Sequence, residues 1–160
     1  KRDLALAALQ RNCADLLPAT EDLLTAPGDP MEKLTTYLTR PLPALKGCKV
    51  GRMTQDPLVA GDPGLLAPVA AAFASVHRAL TTVLGEAVAK GQLDPDLDPE
   101  RLAHLLAATI QGGYVLAIAA QDPAPFDNAR AGALDLLRAS APHREPAAPR
   151  LAHTREEQLR

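Results

Sequence analysis

Apolar residues recur at helical spacing along most of the chain, and the clearest example lies between residues 63 and 90. Seven apolar side chains there stand three or four positions apart and share one face: Leu66, Val69, Phe73, Val76, Leu80, Val83 and Ala87. Because an α-helix has 3.6 residues per turn, this spacing predicts an amphipathic helix. The sequence has no useful stretch of alternating polar and apolar positions and no internal repeat. The pattern therefore predicts an all-α fold.

Asp-Pro steps mark most of the predicted helix starts. They begin at positions 29, 56, 62, 98 and 122, and a sixth, at position 94, falls in a predicted turn. Asp is a good N-cap, and Pro fits the first helical position, where an N–H has no intrahelical partner. Glu32 follows Asp29 by three residues, as in a capping box, whereas Pro18 predicts a kink or an interruption. Six helices are predicted, over residues 3–24, 30–40, 48–55, 63–90, 99–121 and 125–139.

The predicted helix 99–121 is apolar around most of its circumference, so it must be covered on most sides. A second subunit is expected to cover what this chain leaves open. Gly112 and Gly113 favour close approach by another backbone or a ligand, because each costs a helix about 1 kcal/mol relative to alanine. Together with helix 125–139, this helix predicts a four-helix bundle across a two-fold axis, the alternative being the central helix of a monomer. The expected dimer-interface residues are Leu102, Leu105, Leu106, Thr109, Gly112, Gly113, Leu116, Phe126, Ala129, Ala133, Leu136 and Leu137.

Composition agrees with one helical domain at residues 1–139, followed by a Pro- and Ala-rich linker and a charged tail at residues 140–160. Hydrophobic residues make up 47% of the chain and aromatic residues 2%, so Leu, Ala and Val must fill the core. The net charge of −2 gives no general attraction to nucleic acid or to an anionic membrane. The longest apolar run, residues 114–120, is far shorter than the ~18 residues of a membrane span. A cytoplasmic protein without a membrane partner is expected.

Residues suited to catalysis or metal binding are scattered along the sequence. The histidines at positions 77, 104, 143 and 153 show no metal-binding spacing on one helix, so no metal site is expected. Glu100 and His104 share a helix face, which a solvent-exposed pair explains. Two cysteines without a Cys-x-x-Cys motif favour neither a disulfide framework nor a thiolate metal site. Neither an enzyme nor a bound cofactor is expected.

A small-molecule-binding module fits the sequence better, because a few polar side chains stand among apolar helices, as they do in ligand pockets. The expected ligand-binding residues are Cys13, Leu17, Met53, Phe73, Val76, His77, Ile110, Gln111 and Tyr114. Each of these residues taken alone is also a common core residue.

Four segments together resemble the transcriptional regulators of the tetracycline-repressor (TetR) family. Residues 1–9, KRDLALAAL, resemble the start of that family's fourth helix, which follows its helix-turn-helix. Residues 47–53 with the Asp-Pro step at 62, residues 91–99, and the Gln-Gly-Gly at 111–113 resemble its effector-binding and dimerisation domain. The likeness extends over residues 1–139.

The resemblance implies a homodimer that takes up a small apolar effector and binds operator DNA through N-terminal helices missing from this chain. Lys1 is the one residue expected near a DNA phosphate. Effector entry would shift the first helix, residues 3–24, as a lever and change the spacing of two DNA-binding units whose half-sites lie about 34–36 Å apart. The implied function is a ligand-responsive regulator, most often a repressor. A free-standing helical binding or interaction protein is the alternative, and a helical enzyme is less favoured.

Overall fold

The computed structural model describes residues 2–142, apart from the side chains of residues 15–17. Within this part of the chain every regular element is helical and there is no strand. The helices are α1 (Arg2–Thr25), α2 (Pro30–Thr39), a 3₁₀ helix (Ala44–Lys46), α3 (Lys49–Met53), α4 (Pro57–Ala60), α5 (Pro63–Ala89), α6 (Pro99–Ala120) and α7 (Ala124–Ala139). The predicted all-α fold of about six helices is confirmed. The single turn α4 and the 3₁₀ helix are additions to the prediction.

Asp side chains cap four helices at the predicted Asp-Pro steps. The carboxylates of Asp29, Asp56, Asp62 and Asp98 each accept a hydrogen bond from a backbone N–H in the first turn of the helix that follows. At the fifth step Asp122 Oδ1 accepts from the N–H of Ala124, 2.9 Å away, where α7 begins. These bonds satisfy N–H groups that have no partner inside the helix. The predicted helix starts are therefore confirmed, with α7 offset by one residue from the prediction.

Pro18 does not interrupt the first helix, so that part of the prediction is wrong. Helix α1 runs unbroken from Arg2 to Thr25 with Pro18 in its interior. An interior proline removes one backbone hydrogen bond and costs about 3 kcal/mol. The side chains of Leu9, Cys13 and Leu24 are nevertheless buried, and α1 packs along α5. This packing holds the helix together across the proline.

Helix α5 is the centre of the domain. Helices α1, α2 and α6 all pack against it, and α7 packs against α6. Leu80 and Leu84 of α5 and Leu106 of α6 are at most 1% exposed and belong to one continuous core. The arrangement leaves a space between α1, α2, α5 and α6, and this space contains the candidate site.

Helices α5 and α6 are long and apolar enough, by length and composition alone, to cross a membrane. The core helices of water-soluble domains share these properties. Here the two helices pack on each other and each gives one face to the core. Helix α6 also keeps an exposed apolar face, on which Val115 and Leu116 are 57% and 55% exposed.

Candidate functional site

A cleft opens between the four packed helices and has two connected parts. The inner chamber has a volume of about 70 Å³ and is lined by Thr20, Tyr37, Arg40, Leu42, Cys48, Val50, Ala72, Phe73, Val76, Ala107, Ile110, Gln111 and Tyr114. The outer cavity, of about 480 Å³, is lined by Gly47, Cys48, Gly51, Arg52, Thr54, Gln55, Phe73, Gln111, Tyr114, Val115, Ile118 and Ala119. Because Cys48, Phe73, Gln111 and Tyr114 line both parts, the chamber and the cavity meet at these side chains.

Helical periodicity explains which residues reach the cleft. Helix α6 supplies residues 107, 110, 111 and 114, which stand at positions i, i+3, i+4 and i+7 and so share one face. Helix α5 supplies Ala72, Phe73 and Val76 on the facing wall. The remaining lining comes from α1, from the end of α2 and from the segment around α3. The walls are therefore mostly helical, and most of their surface is apolar.

Arg40, which follows the last residue of α2, is the main polar group of the inner chamber. Its Nη2 donates a hydrogen bond to Oγ1 of Thr20 over 2.9 Å. Its Nε is buried and has no hydrogen-bond partner within the described residues. No carboxylate among these residues pairs with the guanidinium. Arg130 donates to the backbone carbonyl of Arg40 over 2.7 Å and so holds the end of α2 in place. The chamber thus holds a partly buried positive charge without a negative partner among the described residues.

Two tyrosine hydroxyls stand near this charge. Burial raises the pKa of Tyr37 to about 12, and the nearby Arg40 guanidinium acts in the opposite direction. Burial also raises the pKa of Tyr114, again against the effect of Arg40. Both hydroxyls therefore stay protonated near neutral pH and can donate hydrogen bonds to a ligand in the cleft.

The cysteines near the cleft are arranged for packing and capping. Burial, with a smaller contribution from Cys48, raises the pKa of the Cys13 thiol, which opposes formation of the nucleophilic thiolate. Cys48 Sγ accepts a hydrogen bond from the N–H of Gly51 over 3.2 Å and caps α3. An added Cβ at Gly51 would collide with Oε1 of Gln111. Glycine at position 51 therefore lets the Gln111 side chain lie against α3 at the mouth of the cleft.

Five of the predicted ligand-binding residues line the cleft: Phe73, Val76, Ile110, Gln111 and Tyr114. Three others lie outside it. Cys13 is buried in the core, Met53 packs against the core, and His77 stacks on His104. The Leu17 side chain and all of Lys1 lie outside the described residues, as does the tail from residue 143 onward.

Sequence reasoning missed the polar centre of the cleft. Thr20, Tyr37, Arg40 and Cys48 all line the inner chamber and were not among the predicted residues. Tyr37 and Arg40 are three positions apart on the predicted second helix, which is a signal that they share a face. Nothing in the sequence shows that this face meets α6, because that contact depends on the packing of distant segments.

The predicted dimer-interface residues divide into an exposed group and a buried group. The exposed residues line a shallow groove along α6 and α7, to which the buried Gly113 and Ala133 and the additional residue Gly132 also contribute. The groove is made of Leu105, Thr109, Gly112, Gly113, Leu116, Ala129, Gly132, Ala133 and Leu136. The side chains of Leu105, Leu116 and Leu136 are 49%, 55% and 64% exposed. An added Cβ at Gly112 would meet no atom within 4 Å. We call this surface the α6–α7 groove.

The buried group holds α6 and α7 together within one chain. Leu106, Phe126 and Leu137 are at most 3% exposed, and Leu102 is partly buried against the core. A Cβ at Gly113 would lie 2.8 Å from Cδ2 of Phe126. The Phe126 ring also stacks on Tyr114, with a centroid distance of 4.5 Å. The backbone approach expected at Gly113 is therefore made by Phe126 of the same chain.

The structure also brings together three residues of types that can bind a metal, one from α5 and two from α6. The rings of His77 on α5 and His104 on α6 have centroids 3.9 Å apart. With Glu100 they place one possible ligand atom each within 4.8 Å of the other two. The sequence showed Glu100 and His104 on one helix face, and the packing of α5 on α6 adds His77.

Comparison with known proteins assigns the family. Residues 30–133 match the family model described as the tetracyclin repressor-like C-terminal domain. The match begins at the first residue of α2, ends within α7, and covers well over half of the chain. No curated protein and no solved structure matches. The chain therefore belongs to the tetracyclin repressor-like C-terminal domain family, whose members are soluble, generally non-enzymatic domains that typically form the ligand-binding and dimerisation part of TetR regulators.

Proposed function

We propose that this chain is the effector-binding and dimerisation part of a ligand-responsive, DNA-binding transcriptional regulator of the TetR type, most often a repressor, that acts in the cytoplasm. The DNA-binding helices would precede Lys1. The observation that carries the proposal is the cleft between α1, α2, α5 and α6, with its apolar walls and the positive charge of Arg40.

The cleft has the features of a small-molecule site. Pockets for such ligands are concave and mostly apolar, and a few polar groups fix the orientation of the ligand. Here the walls come from α5 and α6, while Arg40, Tyr37, Tyr114 and Gln111 supply hydrogen-bond donors. The outer cavity provides most of the room, and the inner chamber is narrow. An elongated apolar molecule with a polar end fits this shape.

The polar end of the effector is negatively charged in this proposal. A guanidinium in a partly apolar site is stabilised by a carboxylate or phosphate, which it binds through charge-assisted hydrogen bonds. Arg40 lacks such a partner among the described residues, and its buried Nε has an unused proton. We therefore refine the expected small apolar effector to an apolar molecule that carries a carboxylate.

The contact between Arg40 and Thr20 offers a route from the cleft to the DNA-binding unit. Thr20 belongs to α1, and α1 leads back to the N-terminal end of the chain. A ligand that recruits the Arg40 guanidinium would disturb or strengthen this contact and so favour one position of α1. Linkage requires that operator DNA change effector affinity by the same factor as the effector changes operator affinity.

Dimerisation would use the α6–α7 groove. Its exposed leucines and its small residues suit close packing of two helix pairs around a two-fold axis. The homodimer would then hold two DNA-binding units at a separation that the effector alters.

A pair of matched probes tests the charge of the effector. Decanoate and its neutral amide, decanamide, share the apolar chain and differ in the carboxylate. We expect decanoate to raise the midpoint of thermal unfolding more than decanamide does, because a ligand that binds only the folded state stabilises it. Arg40→Met should remove this difference, since it keeps the apolar stem and loses the charge.

Arg78→Met is the control, because Arg78 is exposed on α5 and does not line the cleft. It should keep the preference for decanoate. Equal shifts with the two probes, or a preference that survives Arg40→Met, would contradict the proposed site.

A free-standing helical binding protein is the second candidate, because the same cleft would serve it. The residues encoded upstream of Lys1 separate the two functions: a regulator has a three-helix DNA-binding pattern there.

A further inference from the structure

A compact group of metal-ligating side chains lies on the surface where α5 meets α6. Glu100 and His104 are four positions apart at the start of α6, so they face the same way. His77 comes from the middle of α5, and its ring stacks on that of His104 with an interplanar angle of 34°. One nitrogen from each histidine and one oxygen of Glu100 all lie within 4.8 Å of one another.

We propose that His77, Glu100 and His104 form a binding site for a divalent transition metal such as Zn²⁺, which joins α5 to α6. Imidazole nitrogens and a carboxylate oxygen are common zinc ligands, and two histidines with one glutamate form an open zinc site whose fourth position holds water. The site lies outside the cleft and does not depend on the proposed effector.

The geometry is close to that of a bound state. Ligand atoms around a tetrahedral zinc ion are about 3.4 Å apart, given Zn–N and Zn–O distances of about 2.0–2.1 Å. The Glu100 and His104 side chains are exposed and His77 is partly buried, so side-chain rotations alone can close the remaining gap. The packing of α5 on α6 holds the two helices beside each other, so the three side chains approach from fixed positions.

A second contact supports the orientation of His77. Its Nε2 lies 3.3 Å from the backbone carbonyl oxygen of Glu100. In the tautomer with the proton on Nε2, this nitrogen donates to the carbonyl and leaves the Nδ1 lone pair for a metal. Metal-binding histidines usually donate their other N–H to a carbonyl or a carboxylate in this way.

The metal would lie one turn from the cleft. His77 follows Val76 directly, and His104 precedes Ala107 by three residues, and both neighbours line the inner chamber. The same two helices thus carry the cleft walls and the proposed metal ligands.

Titration of the full chain with Co²⁺ and Zn²⁺, after treatment with a chelator, tests the proposal. We expect one metal ion per chain by calorimetry, visible absorption from Co²⁺ in a low-symmetry site, and displacement of Co²⁺ by Zn²⁺. Excess Zn²⁺ should raise the midpoint of thermal unfolding by roughly 5 °C or more. Glu100→Gln, His104→Gln and His77→Gln should each weaken binding by more than the roughly 10–100-fold that loss of a hydrogen-bond partner of a ligand costs.

The tail histidines supply the control. The double variant with His143→Gln and His153→Gln should bind one Zn²⁺ as the unmodified chain does. Glu100→Gln changes one exposed side chain to an amide of the same shape, so its effect is not obscured by misfolding. The proposal is overturned if the unmodified chain binds no metal, if the tail variant loses binding, or if the three site variants keep it. A thiolate-to-Co²⁺ charge-transfer band would also overturn it, because that band would place the metal on cysteine.

Discussion

The close packing of Phe126 against Gly113 leaves no space for a side chain at position 113. A Cβ there would lie 2.8 Å from Cδ2 and 3.4 Å from Cα of Phe126, and Phe126 is 0% exposed, so its ring has no space to retreat. We expect Gly113→Ala to lower the free energy of unfolding by up to about 2 kcal/mol. Overpacking costs about 1–3 kcal/mol, and alanine returns about 1 kcal/mol of helix propensity. Urea unfolding at fixed protein concentration measures the change.

Gly85→Ala is the matched control at the same scale. Gly85 also lies inside a long helix, but a Cβ there meets nothing within 4 Å. This variant should be stabilised by up to about 1 kcal/mol. If Gly113→Ala were stabilised as much as Gly85→Ala, helix propensity alone would explain both results, and the close contact with Phe126 would have no energetic effect.

Some of the residues that line the cleft could be predicted from the sequence, and others could not. Phe73 and Tyr114 were predictable because they lie on the inner faces of long amphipathic helices, where periodicity indicates burial. Arg40 was not predictable, since it follows a short helix and reaches the cleft only because α2 packs on α5 and Arg130 holds its carbonyl. The hydrophobic periodicity of the long helices therefore identifies the apolar walls of the cleft. The packing of distant segments determines that the Arg40 guanidinium lies in it.

Helix starts are the structural features that the sequence indicates best. Substitution of Asp98 at the start of α6 tests how much such a cap stabilises the fold. Its Oδ1 accepts from the N–H groups of Glu100 and Arg101, at 2.9 Å and 3.3 Å. We expect Asp98→Ala to cost about 1 kcal/mol of unfolding free energy, because these donors lose their partner. Asp98→Asn should retain most of the stability, since its side-chain oxygen still caps the helix. Chemical denaturation of the two variants provides the comparison.

Asp96→Ala separates capping from charge. This substitution removes the same charge two residues earlier, where the described residues show no hydrogen bond to the side chain. Its stability should stay within about 0.5 kcal/mol of the original. A loss as large as that of Asp98→Ala would mean that the charge, and not the cap, stabilises the start of α6.

Helix ends and interruptions were harder to predict than helix starts. A cap is a local interaction between a side chain and the next turn, so Asp-Pro steps alone reveal it. Whether Pro18 breaks α1 depends on how strongly the rest of that helix is held by α5. Helix α4 was also hard to predict. It is a single turn between two Asp-Pro steps and has too few residues for a hydrophobic period to be visible.

At the scale of the whole molecule, most of the large apolar side chains that are exposed in the described part of the chain lie on α6 and α7. Leu105, Leu116 and Leu136 are about half exposed or more around the α6–α7 groove. A contiguous apolar surface of this kind marks an interaction site in a soluble protein. The periodicity of helix 99–121 predicted such a surface, and the packing of α7 on α6 decides which of its residues remain outside.

Leu116→Glu tests whether this surface joins two chains. We expect the unmodified chain to have the solution mass of a dimer by light scattering and Leu116→Glu to have that of a monomer. Near a two-fold axis the substitution introduces a carboxylate from each subunit into an apolar contact, where desolvation and like-charge repulsion oppose association.

Leu58→Glu is the control, because Leu58 is 66% exposed on α4, away from the groove. It should remain dimeric at the same concentration. If the unmodified chain is a monomer, or if Leu116→Glu remains a dimer, the α6–α7 groove does not join two chains. Its exposed leucines would then have another partner.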